Sequence, residues 1–440
     1  MKKNYKAIIA AMIGNALEYY DVMLYGFFAT MLAPLFFPTD NQAISIISSL
    51  GTFAAGFVMR PLGGMVFGHL GDKFGRRQAL ALAIFLVTIP TFTIGILPTY
   101  AEIGLAAPII LVACRLLQGL CVGGEYSGAS IFVIEYSKRG KESFAGSILC
   151  AAGFFGGVLG TFIGFLCTLS FMPPWGWRIP FLLGSVIGLM GYYIRTKVNE
   201  SPDFIRNKDE KIDKVPLWGV LENRKRNLLC TMGIGATSLI PFYLASVYMG
   251  FLLTSKLHIP TSQVMLINVA LNVFLIVLLP LMGIIADKIM GKERLMILSA
   301  LTSVVIAYPL FLMLENDLTL STVILVQAIL GMITAGFGAP SMALLSTYFP
   351  VHERYSGIGF GYALGGALLG GTTPLIIATL VNWFNSPLMP AYYLMFSGLI
   401  GIMCVIGGKR GDSTESLLAP KFKELEPNLV NAGYARKVAN

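Results

Sequence analysis

The chain has 440 residues, 55% of them hydrophobic and only 12% charged, with a net charge of +9. A soluble domain carries about 25% charged residues, whereas here apolar stretches of about 18 residues or more, each able to cross a bilayer, recur from end to end. The composition argues against a soluble enzyme and describes a polytopic helical membrane protein.

The first predicted span, 7–36, follows Met1, Lys2 and Lys3 and contains "GNALEYYDVMLYGFF". Glu18 and Asp21 therefore stand inside an otherwise apolar and aromatic helix. The stretch lacks the uninterrupted apolar core and small-residue cleavage site of a secretory leader, so no leader is expected. Spans two to six cover 43–68, 78–98, 104–133, 143–170 and 179–198. A polar segment, 199–226, is the only long internal break. Spans seven to twelve cover 227–255, 261–286, 294–314, 318–348, 355–382 and 390–408. The expected fold is an all-α membrane protein with twelve transmembrane helices in two six-helix bundles, 1–198 and 227–408. A linker at 199–226 joins them and a tail at 409–440 follows. The six cysteines all fall within apolar segments, without metal-like spacing, and read as free thiols.

The positive charge is distributed by side. Of the 32 lysines and arginines, 28 lie in the tail or on the N-terminal side of the odd-numbered spans, nine of them around the central break, Arg195 included. The opposite loops hold two, Arg178 and Lys256. This bias places both termini, linker and tail in the cytoplasm. It accounts for the net charge as topology, with no nucleic-acid partner.

The halves repeat. "GHLGDKFGRR" (Gly68 to Arg77) after span two is matched by "GIIADKIMGK" (Gly283 to Lys292) after span eight, with one extra residue before the second glycine. Parallel six-helix repeats joined by a charged loop are a transporter layout, with substrate near the midplane between the halves. Gly68 and Gly75 permit close approach and a tight turn. Asp72 and Asp287 can cap a neighbouring helix or pair with Arg76 or Arg77. Together these six residues read as a latch, a cytoplasmic gate.

Within the spans five strongly ionisable side chains stand out: Glu18, Asp21, Arg60, Arg115 and Glu125. Charges at this depth face a cavity and find partners. Gly14, Glu18, Asp21 and Tyr25 share one face of span one, and Arg115, Gln118, Val122 and Glu125 one face of span four. Arg60 and Glu125 both lie about 12 Å from the cytoplasmic end, at about 1.5 Å per residue. The expected layers are Arg60 with Glu125 below and Arg115 with Asp21 or Glu18 above. Three acids facing two arginines leave one carboxyl without a guanidinium, which is what a proton carrier needs. Asn268 and Asn272, an i, i+4 pair on span eight, are candidate cavity residues; Tyr243 and Tyr248 are candidate π-faces for a cationic or zwitterionic solute. "GIGFGYALGG" lacks the strand that a phosphate loop requires and fits helix packing. No metal or catalytic constellation is evident.

"GHLGDKFGRR" resembles the loop signature of the major facilitator superfamily, and "RLLQGLCVGG" resembles its span-four arginine–glycine motif. With "MRPLGGMVFGHLGD", "LQGLCVGGEYSGASIFVIEYS", "WGWRIPF" and "LMPAYYLM", nearly the whole chain is similar to the metabolite:proton symporter family, most of all to its proline/betaine branch. The resemblance implies alternating access, uptake driven by protons, and substrates bearing a carboxylate. It implies importance for a span-one acid, here Glu18 or Asp21, and for Arg60, Arg115 and Glu125. The second latch departs from the usual form, and the tail lacks the heptads of osmosensing relatives.

The sequence as a whole predicts an inner-membrane proton symporter, working as a monomer without a cofactor, for a small zwitterionic carboxylate. Arg115 would meet the carboxylate, with Gln118, Tyr25, Tyr243, Tyr248, Asn268 and Asn272 around the solute. Glu18, Asp21 or Glu125, with Arg60, would handle the proton. The alternatives are a di- or tricarboxylate symporter and a sensor or exporter on the same scaffold.

Overall fold

The computed structural model describes residues 2–40, 42–167, 172–201, 204–205 and 216–410. Most of the linker, the end of predicted span five and the tail beyond Arg410 lie outside the described residues. Six long helices form the first half: α1 (Lys2–Phe36), α2 (Gln42–Lys73), α3 (Arg76–Ile96), α4 (Ala106–Tyr136), α5 (Glu142–Leu166) and α6 (Arg178–Thr196). Six form the second: α7 (Lys225–Thr254), α8 (Gln263–Met290), α9 (Lys292–Asn316), α10 (Leu320–Leu345), α11 (Arg354–Phe384) and α12 (Met389–Gly407). Among the described residues, the ten from α3 to α12 are long and apolar enough to cross a membrane. Helices α1 and α2 have 35 and 32 residues.

The halves use the same pairings. In the first, α1 packs on α5, α2 on α4 and α3 on α6; in the second, α7 packs on α11, α8 on α10 and α9 on α12. The halves meet through α2 against α11 and α5 against α8, which are equivalent contacts under the repeat. Glycine makes the tightest of these approaches possible. A Cβ on Gly63 would strike the Leu120 backbone, and one on Gly123 the Arg60 backbone, so α2 and α4 touch main chain to main chain.

Two boundaries differ from the sequence expectation for one reason. Helices α2 and α8 run on through the repeated loop, to Lys73 and Met290, and turn only at Gly75 (φ 111°) and Gly291 (φ 87°), which need a left-handed backbone. The extra residue of the second loop is absorbed by a π-helical turn, Ala286–Met290. Such a turn widens the helix and takes up the additional residue without losing the glycine turn. Further π-helical turns lie at Leu244–Tyr248 in α7 and Gly366–Gly370 in α11. The first frees the Ala245 carbonyl, which accepts a hydrogen bond from Gln327 Nε2 at 2.8 Å.

Candidate functional site

The acidic face of α1 carries three electrostatic layers. In the layer nearest the chain start, Glu125 meets Arg195 of α6 through both oxygens, at 2.6 and 3.0 Å. Arg195 also donates to the Leu80 carbonyl at 3.0 Å and to the Ala10 and Ala11 carbonyls at 3.4 Å, tying α1, α3, α4 and α6 together. Gly14 makes room for this bridge, since a Cβ there would collide with the Arg195 guanidinium. In the layer furthest along α1, Arg115 lies 3.8 Å from Asp21 and donates to Gln118 at 2.8 Å. Thr91 links the set, donating to Asp21 at 3.1 Å and accepting from Gln118 at 2.9 Å. The Arg115 guanidinium also sits 4.3 Å above the Tyr25 ring. Glu18 lies between these layers.

This corrects the expected pairing. Glu125 does not pair with Arg60; it pairs with Arg195, which stands at the end of α6 inside the bundle and not with the loop charges. The count becomes three acids and three arginines. Glu125 is met by an arginine that donates to one of its oxygens and whose other donors reach backbone carbonyls. What survives is a carboxyl without a salt bridge. Among the described residues, Glu18 has no ion pair, and its Oε2 is buried without a hydrogen-bond partner. Arg60 also lacks an ion pair there; its Nε has no partner and its guanidinium lies 4.0 Å over the Phe57 ring.

Glu18 and Arg60 line one cavity between the halves, with Tyr19, Tyr126, Cys150 and Phe154. The opposite wall is Ser238, Leu239, Phe242, Tyr243, Thr334 and Tyr362. Of the residues expected to bind the solute, Tyr243 is on this wall. Arg115, Gln118 and Tyr25 are 3%, 2% and 0% exposed and belong to the closed network behind it. Tyr248 instead packs toward Phe311, with ring centres 6.4 Å apart. Asn268 and Asn272 do not line the cavity, and their Oδ1 atoms are buried without partners. Sequence reasoning missed Tyr19, Tyr126, Phe154, Phe242 and Tyr362. Tyr19 beside Glu18, Tyr126 beside Glu125 and Phe242 beside Tyr243 were signals by adjacency; Phe154 and Tyr362 join them only when the helices pack.

The latch residues bridge the two halves. Asp72 accepts from the Tyr355 and Ser356 backbone N–H groups at 3.1 and 2.8 Å, capping the start of α11 in the other half. Asp287 does the equivalent for α5, accepting from Ser143 and Phe144 at 3.0 and 2.8 Å. Each half thus clasps the other. The first clasp has more charge: Arg76 is fully buried, 2.9 Å from Asp72 and 3.7 Å from Glu135, and Glu135 also meets Arg354 at 3.0 Å. A Cβ on Gly68 would press the Ser356 backbone. Glu200, just past α6, accepts from the Arg77 backbone N–H at 3.2 Å, and burial pushes its carboxyl above the ordinary range.

Residues 6–215 match the model of the "Sugar (and other) transporter" family and residues 229–432 that of the Major Facilitator Superfamily. A proline/betaine transporter of Salmonella typhimurium is 36% identical over 92% of this chain and 83% of its own length. The chain belongs to the major facilitator superfamily. Within that family, the glycine betaine/proline/ectoine/pipecolic acid transporter OusA of Dickeya dadantii is 35% identical, over 90% of this chain and 82% of OusA. The ectoine/proline transporter ProP of Corynebacterium glutamicum is 30% identical, over 91% of this chain and 83% of ProP. Among solved structures, the proton:xylose symporter XylE is similar in fold, with a TM-score of 0.77 and 15% identity, covering 95% of this chain and 99% of that one. These superfamily members fit the twelve-helix, two-half architecture.

Proposed function

We propose that the chain is a solute transporter of the bacterial inner membrane that carries proline- or betaine-type zwitterions together with protons, by alternating access. It is a multi-pass membrane protein and not an enzyme. It works as a monomer, with the proton as coupling ion and with neither a cofactor nor a nucleic-acid partner. The transport of proline and betaine-type solutes by its relatives supports the substrate class.

One observation carries the mechanism. Glu18 and Arg60, of opposite charge and each without a salt bridge among the described residues, share the wall of a cavity between the two halves. Arg60 takes the role first given to Arg115 and receives the solute carboxylate. Glu18 takes the proton, because Asp21 and Glu125 are each held by an arginine. A protonated Glu18 leaves Arg60 free to hold the carboxylate; release of the solute and the proton on the other side restores the attraction between the two groups. The charge bias of the sequence puts the latch end in the cytoplasm. The Asp72 and Asp287 caps must then part for inward opening.

A zwitterion suits a cavity with one arginine and one carboxyl better than a di- or tricarboxylate does, since a second carboxylate would find no second guanidinium on that wall. Uptake of radiolabelled proline, glycine betaine, citrate and 2-oxoglutarate into proteoliposomes, with and without an inward proton gradient, tests this. Accumulation of the zwitterions only with the gradient is expected. Accumulation of citrate or 2-oxoglutarate instead would favour the other symporter reading. Binding without accumulation would favour a sensor or exporter.

A further inference from the structure

The cavity has a feature that proton coupling does not use. Tyr19 and Phe154 have ring centres 5.7 Å apart and planes inclined at 58°. Phe154 and Phe242 follow at 5.2 Å and 63°, and Phe242 and Tyr243 at 5.6 Å and 61°. The four rings come from α1, α5 and α7, so they cross from one half to the other. Because each plane is tilted from the last, they form a bent wall and not a flat stack. All four line the cavity that holds Glu18 and Arg60.

Two hydroxyls beside them have committed their protons, leaving only lone pairs to offer. Ser238 donates to the Ile234 carbonyl and Thr334 to the Leu330 carbonyl, both at 2.8 Å along their own helices. An ammonium with several N–H bonds needs several acceptors once stripped of water, and ring faces serve it poorly. A methylated ammonium has no N–H to satisfy and spreads its charge over its methyl groups, which ring faces attract.

We propose that Tyr19, Phe154, Phe242 and Tyr243 form an aromatic subsite for the substrate's ammonium group, so that the protein ranks its substrates by N-methylation. Arg60 fixes the carboxylate end, and the rings read the other end. The proposal rests on the zwitterion reading above and adds the residues that set its preference.

The test is competition against counterflow of radiolabelled glycine betaine in proteoliposomes. The competitors are glycine, sarcosine, N,N-dimethylglycine, glycine betaine and 3,3-dimethylbutanoate, the last being the carbon isostere of betaine without its positive charge. Competition is expected to strengthen with each methyl group, and betaine should surpass its isostere about five- to thirtyfold. Phe154→Leu and Phe242→Leu should each shrink that gap, while Phe242→Tyr keeps it. The wild-type comparison of betaine with its isostere needs no variant, so a leucine variant that does not fold leaves the test intact. Equal competition by betaine and isostere, or an unchanged gap in folded leucine variants, overturns the subsite and leaves the zwitterion reading standing. If neither betaine nor proline exchanges at all, the zwitterion reading falls and the subsite with it.

Discussion

The two halves repeat the same helix pairings but divide the chemistry between them. The first buries Glu18, Asp21, Arg115, Glu125 and Arg195 among α1, α3, α4 and α6. In the second, charged side chains of the described residues stay near helix ends, and interior hydroxyls such as Ser238 and Thr334 bond to their own helices. All three π-helical turns among the described residues lie in the second half. One bundle therefore holds charges in fixed places, while the other has the less regular helices. Buried salt bridges tolerate little movement, because parting them leaves a desolvated charge. A half that must hold a proton at one address benefits from that rigidity, and the opposing wall need only move against it.

The contrast can be broken most severely at Glu125. Glu125→Gln leaves Arg195 buried without its counter-charge and should cost about 3–5 kcal/mol. Thermal unfolding in detergent will read this as a large fall in Tm, and Glu125→Gln with Arg195→Gln should recover much of it. Latch variants come next. Asp72→Ala and Asp287→Ala each remove a cap worth about 1 kcal/mol, and Asp72→Ala also deprives the buried Arg76 of its nearest carboxylate. Electron-spin distances between labels on exposed residues 138 and 288 should show more opening for Asp72→Ala than for Asp287→Ala.

In the second half the largest interior polar effect should be smaller. Gln327→Leu orphans the Ala245 carbonyl of the π-helical turn, an expected loss of about 1 kcal/mol, read by the same unfolding assay. The smallest effect concerns pH. Because burial raises the Glu200 carboxyl, its protonated form is favoured in the folded protein, so this contribution to stability is full at acid pH and is lost as pH rises through the raised value. Tm measured against pH should therefore fall less steeply with rising pH in Glu200→Gln than in the parent.

Much of this was legible in the sequence because membrane burial leaves strong marks. Twelve apolar spans, the repeated glycine–aspartate loops and the acids of span one each follow from local composition. The extra residue in the second loop even foreshadowed its π-helical turn. Pairing was less legible. Arg195 reads as one more positive charge beside a polar loop, and only the packing of α6 against α3 and α1 turns it inward. The aromatic wall is harder still, since Phe154 and Phe242 are ordinary apolar residues until two helices from different halves bring their rings together. Arg115 matched a motif, yet its neighbours Asp21, Gln118 and Tyr25 close around it and leave Arg60 to face the cavity.

The most direct measurement concerns Glu18, the span-one carboxyl without a salt bridge among the described residues. In proteoliposomes, Glu18→Gln should keep counterflow exchange of proline or betaine near the parent level while losing accumulation driven by an inward proton gradient. Normal gradient-driven accumulation by Glu18→Gln would contradict the account, because the proton would then have to ride on a group already held by an arginine.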